Sequence, residues 1–393
     1  MSTESVVILA AKRTPIGSFH GMFAATPAPL LGAAAIKGAI DAAGLAPSAV
    51  DEVVMGCVLA AGIGQAAARQ AAIAAGIPAN TPATTINKMC GSGMKAIMMA
   101  ADALRTGDIN IAVAGGLESM TNAPYLLPKA RAGYRMGHGE LLDHMFTDGL
   151  QSPWDGQLMG CFAENTSQKY GFTREQQDAF ATESVRRSLH AIASGAFLNE
   201  ISPVTVKTRK GESIIDKDET PFACDVAKIT QLKPAFRKDG TVTAASSSSI
   251  SDGAAAVVLA TATAAKIQAL KPIARIVAYA SHAHAPEWFT TAPVGAIEKT
   301  LKKAGWRTGD VDLYEINEAF AAVTMAAMHD LKLDPAKVNV NGGACALGHP
   351  VGATGARIRA TLINALQLRG LKRGVASLCI GGGEATAIAV ELI

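Results

Sequence analysis

Short apolar segments alternate with helical patterns along most of the chain. Val6–Ala10 and Val50–Leu59 have the composition of buried strands, and the helical pattern Leu30–Ala43 lies between them. Gly44 follows that pattern at the position where helices commonly end. Strands that alternate with helices favour a parallel sheet with helices on both faces. We therefore predict an α/β protein built on a mostly parallel sheet.

Two parts of the chain have the same order of predicted elements. In each part a strand leads into a glycine-containing turn, a helix and a further strand that ends in glycines. The turns are Asn87–Gly93 and Asn341–Gly355, and the closing glycines are Gly115-Gly116 and Gly381–Gly383. The strand before the second turn is predicted at Val338–Val340. This repeated order, in a chain of 393 residues, predicts a structural duplication and more than one domain.

Residues 120–244 differ from the regular pattern on either side. Their first part is rich in Gly, Pro, Met and charge without a sustained period, which is more typical of a functional segment than of a connection. Thr173–Ala193 is predicted to be a helix, because its first residues fit a capping box. Residues 200–240, which include Arg209 and Lys210, are predicted to be a charged, β-containing excursion.

Charge and cysteine content exclude several classes of protein. A formal charge of +3 without a long Lys/Arg run does not indicate nucleic-acid binding. No apolar run approaches the ~20 residues of a membrane span. The six cysteines form no Cys-x-x-Cys pair, so we expect no metal site. A working thiol needs a reducing compartment, which favours a cytoplasmic protein.

Cys90 lies where a predicted strand turns into a predicted helix. Ala83–Ile86 leads into the turn and the helical pattern Met94–Leu104 leads out of it. Gly91 and Gly93 allow a tight turn, and the helix N-terminus is expected to favour the thiolate. This geometry suits an exposed nucleophile. A small buried cysteine is the alternative, and this stretch alone leaves both open.

Three further reactive side chains come at the ends of predicted strands, where α/β sheets bind ligands. Asn317 could instead cap a helix, His349 could be a turn histidine, and Cys379 could be a core residue. The turn Gly342–Gly355 lacks the spacing of a nucleotide-binding loop. Taken together with Cys90, these residues supply a nucleophile, a base and a second proton carrier, and the flanking glycine amides can form oxyanion holes.

The reactive residues lie in stretches that resemble the signature sequences of thiolases, in thiolase order. The stretches are Asn87-Lys-Met-Cys-Gly-Ser-Gly, Gly115-Gly-Leu-Glu-Ser-Met, Asn317-Glu-Ala-Phe-Ala, Gly342-Gly-Ala-Cys-Ala-Leu-Gly-His-Pro-Val-Gly-Ala-Thr-Gly and Cys379-Ile-Gly-Gly-Gly. The resemblance implies a thiolase-like α/β fold, with two similar α/β halves in a five-layered α-β-α-β-α core and an inserted loop domain. The implied domains are residues 1–119 with 245–270, the loop domain 120–244 over the coenzyme A site, and residues 271–393.

The closest resemblance is to the biosynthetic branch of the family. It implies reversible Claisen condensation of two acetyl-CoA molecules to acetoacetyl-CoA and CoA, by a ping-pong mechanism through an acetyl-Cys90 intermediate. The expected ligands are acetyl-CoA, acetoacetyl-CoA and CoA, with no further cofactor, and the expected assembly is a homotetramer formed by two dimers. A degradative 3-ketoacyl-CoA thiolase of broader chain length and a Cys-His thioester hydrolase are the alternatives.

The resemblance also implies roles for individual residues. His349 accepts the proton of Cys90, Cys379 removes a proton from the second acetyl-CoA, and a water on Asn317 helps to hold the enolate oxygen. The N–H groups of Cys90 and Gly381 hold the acyl-enzyme oxygen. The implied coenzyme A contacts are Leu150, Leu158, Met159, Phe236, Ser248, Ala319 and Phe320.

The chain departs from the biosynthetic pattern at several positions. Leu158 stands where a histidine is usual, Ser246–Ser248 replaces Asn-Ala-Ser, and Glu384 stands where Met or Gln is frequent. The tyrosine that completes a potassium site in mitochondrial members is absent near Thr220, which predicts no potassium activation. These departures bear on acyl-chain preference rather than on the reaction. From composition alone, Ser246–Ser249 is either an ordered turn or a solvated serine loop.

Overall fold

The computed structural model describes residues 4–208 and 211–393, so Arg209 and Lys210 lie outside the described residues. The strands are β1 (Val6–Arg13), β2 (Gly17–Ser18), β3 (Glu52–Gly56), β4 (Ala83–Ile86), β5 (Ile111–Ser119), β6 (Tyr125–Leu126), β7 (Leu142–Asp143), β8 (Val204–Thr208), β9 (Gly211–Ile215), β10 (Ser251–Thr261), β11 (Ala274–Ala283), β12 (Leu313–Ile316), β13 (Arg373–Ile380) and β14 (Glu384–Leu392). The helices are α1 (Ala28–Ala43), α2 (Ala67–Ala74), α3 (Ser92–Thr106), α4 (Met159–Tyr170), α5 (Arg174–Ala193), α6 (Thr220–Ala223), α7 (Ala262–Ile267), α8 (Ala292–Ala304), α9 (Ala321–Leu331), α10 (Ala344–Leu347) and α11 (Val351–Arg369). Within the described residues, none of these helices is both long enough and apolar enough to cross a bilayer.

The main sheet is mixed rather than mostly parallel. Its strand order is β12-β13-β14-β11-β1-β10-β5-β3-β4. The pairs β3–β4, β3–β5 and β12–β13 are parallel, whereas β10 and β14 run antiparallel to their neighbours. The prediction of a mostly parallel sheet was therefore wrong. Gly381–Gly383 joins β13 to β14 by a tight turn, and a connection this short can only join antiparallel strands.

The predicted duplication is confirmed by the order of elements. The first half runs β1, α1, β3, α2, β4, α3, β5 and β10, and the second runs β11, α8, β12, α9, α11, β13 and β14. The predicted strand Val338–Val340 was wrong. Val338 forms an isolated parallel bridge with Tyr314 after the helical turn Pro335–Lys337, so this segment is too short to count as a strand.

Three apolar clusters divide the protein into five layers. Helices α1 and α2 cover one face of β1, β3, β5 and β10, and helices α8 and α9 cover the outer face of β12, β13 and β14. Helices α3 and α11 lie between the two sets of strands. Strand β10 alternates: Ala254, Ala256, Val258 and Ala260 face α1 and α2, whereas Ala255, Val257 and Leu259 face α3 and α11. The α-β-α-β-α arrangement is thus confirmed. It buries α11 from Val351 to Leu366 and one face of α3, whose Met99 and Asp102 stay exposed.

The two middle helices touch through their backbones near their N-termini. A Cβ atom on Gly93 would lie 2.9 Å from the backbone N of Ala356 and 3.1 Å from the carbonyl O of Gly352. A Cβ on Gly355 would overlap the backbone N of Met94. The sequence pattern placed Gly352 and Gly355 in a turn, and this prediction was wrong: α11 begins at Val351 and includes both glycines. Their lack of a side chain permits close helix packing.

The inserted segment is joined to both halves by a buried ion cluster. Arg13 Nε contacts Glu200 Oε1 at 2.5 Å, and Arg13 Nη1 contacts Asp218 Oδ1 at 2.6 Å. Glu200 also accepts hydrogen bonds from Thr361 and Asn364 of α11. The contacts of this ion cluster fix the insert over one end of the sheet.

The capping box predicted at Thr173 is confirmed, and helix α5 begins directly after it.

We predict that Gly355→Ala destabilises the protein. Alanine in place of a helix-interior glycine ordinarily stabilises by about 1 kcal/mol. Here the methyl group would overlap the α3 backbone, and overpacking of this kind costs about 1–3 kcal/mol. Urea denaturation should give a lower free energy of unfolding than for the parent.

Gly309→Ala is the control for this comparison. A Cβ at Gly309 would meet no atom of the described residues within 4 Å, so its stability should match that of the parent. A Gly355→Ala protein as stable as the parent would contradict the proposed close packing of α3 and α11.

Candidate active site

The turn before α3 presents Cys90 at the end of β4. The Gly91 N–H donates to the carbonyl of Lys88 at 3.0 Å, and the Ser92 N–H donates to the carbonyl of Met89 at 2.9 Å. Met89 has a φ of +47°, a left-handed conformation that is uncommon for a residue with a side chain. The predicted sharp turn is present, but its strain lies at Met89. Gly91 is required for space, because a Cβ there would overlap Ile380.

The resting thiol of Cys90 is protonated. Burial raises the pKa of Cys90 to about 11, although the N–H groups of Gly381 and of Cys90 itself partly offset this effect. The prediction that the helix N-terminus would favour the thiolate was therefore wrong, because desolvation of the charged form outweighs the local dipoles. Cys90 needs a base before it can act as a nucleophile.

His349 is oriented so that one ring nitrogen is free. Its Nδ1 lies 2.6 Å from Thr354 Oγ1, and that hydroxyl donates to the Pro350 carbonyl at 2.9 Å. The hydroxyl must therefore accept from His349, which places the proton on Nδ1 and leaves the lone pair on Nε2. Nε2 is buried and has no hydrogen-bond partner in the described part of the chain. Burial, with a smaller effect of Arg357, lowers the pKa of His349 to about 3, so the ring is a neutral base.

Cys379 is fully buried at the end of β13 and lies close to Cys90. Burial raises the pKa of Cys379 well above its usual value, and a negative charge on Cys90 raises it further. Gly91, which follows Cys90, packs against Ile380, which follows Cys379, so the two cysteines lie on adjoining segments. Ala319 and Phe320 pack in the same apolar cluster as Cys379.

Asn317 does not cap a helix, because α9 begins at Ala321 with Phe320 in the cap position. Its side chain is buried, and Oδ1 accepts a hydrogen bond from Arg357 Nη2 at 3.3 Å. Nδ2 has no partner within the residues that the structure describes. Arg357 also contacts Glu315 at 3.3 Å, so the guanidinium fixes the amide with its donor group free.

A cavity of about 390 Å³ opens beside Cys90, His349 and Gly381. The implied coenzyme A contacts that line it are Leu150, Leu158, Met159, Phe236, Ser248, Ala319 and Phe320. Cys379 and Asn317 are buried and are not among the lining residues of this cavity. Sequence reasoning missed Phe146, Gly149, Gly160, Ala235, Ala244, Ser247, Ser249, Ile250, Phe289 and Val351. The serines and Val351 adjoin predicted residues, but no sequence signal distinguishes Phe146 or Phe289 from core phenylalanines.

The serine run is an ordered wall of the cavity. Ser246 and Ser247 are buried, and the Ser248 N–H donates to the Ala319 carbonyl at 3.0 Å. The carbonyl of Ser249 accepts the N–H of His349 at 3.2 Å. The alternative of a solvated serine loop was therefore wrong, and the run helps to position the base.

Glu118 ties the first half of the chain to the start of α11. Its carboxylate accepts the N–H groups of Val58, Leu59 and Gly352 at 2.9–3.1 Å. Burial raises the pKa of Glu118 to about 7. Sequence reasoning placed Glu118 in a signature stretch without a role, and the structure indicates a role in positioning the turn that holds His349.

The described residues hold no group of three or more His, Cys, Asp or Glu side chains placed to bind a metal ion. His282 and His284 lie together at the end of β11 with ring centroids 5.2 Å apart. His284 Nε2 contacts the carbonyl of Trp288 at 2.7 Å. This pair is therefore a local structural contact outside the cavity.

Comparison with known proteins agrees with this geometry. Residues 6–263 match the family model for the thiolase N-terminal domain, and residues 270–392 match that for the thiolase C-terminal domain. Proteins named acetyl-CoA acetyltransferase from Pseudomonas aeruginosa and Escherichia coli K12 are 51% and 49% identical, over 98% and 99% of both chains. The crystal structure of the Bacillus anthracis acetyl-CoA acetyltransferase superposes with a TM-score of 0.97 at 44% identity, covering 100% of this chain and 99% of that one. The chain therefore belongs to the thiolase family.

Proposed function

We propose that this protein is an acetyl-CoA acetyltransferase that condenses two acetyl-CoA molecules to acetoacetyl-CoA and CoA. The observation that carries the proposal is an apolar cavity lined by the Cys90 thiol and by a neutral imidazole with a free Nε2, with the Cys379 thiol packed in one cluster with lining residues of that cavity. The similarity to proteins named acetyl-CoA acetyltransferase over nearly the whole chain supports the choice of substrate.

The first half-reaction transfers an acetyl group to Cys90. Sγ attacks the thioester carbonyl while His349 Nε2 accepts the thiol proton. Because Cys90 is a neutral thiol and His349 a neutral imidazole at rest, the proton moves during the attack rather than before it. The N–H groups of Cys90 and Gly381 stabilise the oxyanion. CoA leaves as a thiolate and takes the proton of Cys379.

The second half-reaction forms the carbon–carbon bond. The Cys379 thiolate removes a methyl proton from a second acetyl-CoA, and the enolate oxygen is held by protonated His349 and by a water on Asn317 Nδ2. The carbanion attacks acetyl-Cys90 and expels the Cys90 thiolate, which recovers its proton from His349. Each group thereby returns to its starting protonation state.

A degradative 3-ketoacyl-CoA thiolase could use the same three groups, so substrate range separates the two functions. The cavity has an apolar lining in which Leu158, Phe146 and Phe289 take part. The similarity to proteins named acetyl-CoA acetyltransferase, at 51% and 49% identity, favours short acyl chains. If the protein prefers short acyl chains, it should cleave acetoacetyl-CoA faster than a long-chain 3-ketoacyl-CoA.

The Cys-His hydrolase is the alternative of another class. Such an enzyme would have no use for Cys379.

We further propose that the protein acts in the cytoplasm as a homotetramer. The free thiols of Cys90 and Cys379 support a reducing compartment. The segment that contains β6 and β7 exposes large apolar side chains, among them Tyr125, Met136 and Leu141 at 64%, 93% and 62% exposure. Exposed apolar side chains in one segment support a subunit contact there.

We predict that acetyl-CoA alone acetylates Cys90 and releases one CoA per active site. Mass spectrometry of the intact protein and of its peptides should find a single acetyl group, on the peptide that contains Cys90. Cys90→Ala should abolish the adduct, whereas Cys224→Ala, which removes another partly exposed thiol, should not. An adduct elsewhere, or none, would overturn the proposed function.

We predict that Cys379→Ser separates the two half-reactions. Serine is far too weak an acid to supply the base for proton abstraction, so condensation should fall by about 10²–10⁴. Acetylation of Cys90 should stay within severalfold of the parent rate, because water can protonate the CoA thiolate. Stopped-flow CoA release and acetoacetyl-CoA formation measure the two steps, and equal loss of both would contradict the role of Cys379.

We predict that acetylation of Cys90 persists as the pH falls through 6.5. A folded-state pKa below the ordinary 6.5 keeps His349 in its neutral, proton-accepting form in this range. The burst rate of CoA release, measured from about pH 8 down to about pH 5, should show no titration near the ordinary histidine value. A sharp loss of rate centred near 6.5, with the protein still folded by circular dichroism, would count against this assignment.

A further inference from the structure

An ion pair joins the two turns that supply the proposed oxyanion donors. Lys88 Nζ contacts Glu384 Oε2, and the side chains are 25% and 35% exposed. Lys88 lies two residues before Cys90, and Glu384 directly follows Gly381–Gly383. The two residues come from different halves of the chain. In the described chain, neither is among the residues that line the active-site cavity.

Both ends of this ion pair are anchored in their own half. The Lys88 N–H donates to Ser92 Oγ at 2.8 Å, and the Lys88 carbonyl accepts the Gly91 N–H at 3.0 Å. Glu384 is the first residue of β14, where it pairs with Ile380 of β13 and Ala283 of β11. The ion pair therefore joins two side chains whose backbone segments are each held by hydrogen bonds.

The segment between these anchors is a tight turn, held within its own half by the Gly383 carbonyl, which accepts the N–H of His284 at 2.9 Å. It meets the Cys90 turn through the packing of Ile380 against Gly91 and through the Lys88–Glu384 ion pair. Gly382 and Gly383 have φ values of +94° and +86°, a conformation that glycine adopts without strain and that no side chain restricts. The N–H of Gly381 acts to lower the pKa of Cys90, and Gly381 lines the same cavity as Cys90. The direction of that N–H thus depends on how the glycine turn is held against the Cys90 turn.

We propose that Lys88 and Glu384 are positioning residues that hold the Gly381 N–H against the carbonyl oxygen of acyl-Cys90. This inference rests on the proposed acetyl transfer to Cys90. A partly exposed ion pair adds little to folding stability. Its effect here is on geometry, because an oxyanion donor stabilises the transition state only at hydrogen-bond distance.

The test compares the neutral variants Lys88→Met and Glu384→Gln, the double variant that carries both, and the reversed pair Lys88→Glu with Glu384→Lys. Loss of an oxyanion donor costs about 10²–10³ in kcat, so we expect about a tenfold slower CoA burst for each single variant, whose donor is only displaced. KM for acetyl-CoA should stay within about twofold, since binding contacts are kept. The double variant should be no slower than the singles, and the reversed pair should recover most of the rate.

Arg275→Met is the matched control. Arg275 pairs with Glu391 at the far end of β14, so its loss removes an ion pair of the same strand away from the site. Its burst rate should equal that of the parent. Thermal unfolding should give the same midpoint for all variants within a few degrees, which separates positioning from loss of fold.

Several outcomes would overturn the inference. Parent-like burst rates in both single variants would remove any role for the pair. If Lys88→Met slowed the burst and Glu384→Gln accelerated it, the charges would act directly on the oxyanion and the reversed pair would be slowest. Additive losses in the double variant would also contradict a shared role. If the parent itself shows no CoA burst and matches Cys90→Ala, the proposed function fails, and with it this inference.

Discussion

The backbones of α3 and α11 meet where both helices begin, and the site is built on this contact. Gly93 and Gly355 leave no side chain between the helices, so the turn that carries Cys90 and the turn that carries His349 end at the same point. The two halves of the chain thus contribute one reactive group each. Since backbone overlaps cannot be relieved by a change of rotamer, this contact sets the spacing of the two turns more firmly than side-chain packing would.

Buried charges hold the same region in place. Glu118 binds the start of α11 to the first half, Arg357 holds Asn317 and Glu315, and Glu200 joins Arg13 to α11. Buried ion pairs contribute little net stability, because desolvation offsets most of the attraction. Their contribution is directional: each charged group accepts or donates several hydrogen bonds at once, and thereby fixes the polar groups that face the cavity.

The same burial controls reactivity. It keeps Cys90 and Cys379 as thiols and His349 as a neutral imidazole in the resting protein. A thiolate exposed to solvent would be open to oxidation and to reaction with other electrophiles. Here the nucleophile forms only when a thioester carbonyl can accept it and when the N–H groups of Cys90 and Gly381 can stabilise the resulting charge. The cost of forming a buried thiolate is thus offset within the reaction itself.

The amino-acid sequence by itself determined the local features of this protein. It specified the helix ends at Gly44 and Thr173, the turn at Cys90, the repeated order of elements, and the glycine-flanked residues that the fold brings together, because these depend on neighbours within a few residues. Its resemblance to thiolases also implied seven of the residues that line the cavity, namely Leu150, Leu158, Met159, Phe236, Ser248, Ala319 and Phe320.

Only the tertiary structure decided what depends on distant parts of the chain. The antiparallel direction of β10, the start of α11 at Val351 and the place of Phe146 and Phe289 in the cavity follow from packing against other layers. The periodicity of the sequence does not reveal these features. At the start of α11, for example, a glycine that permits close helix packing cannot be told from a glycine that permits a turn. The protonation state of Cys90 was decided in the same way: a helix N-terminus is visible in the sequence, but the desolvation that outweighs it comes from residues hundreds of positions away.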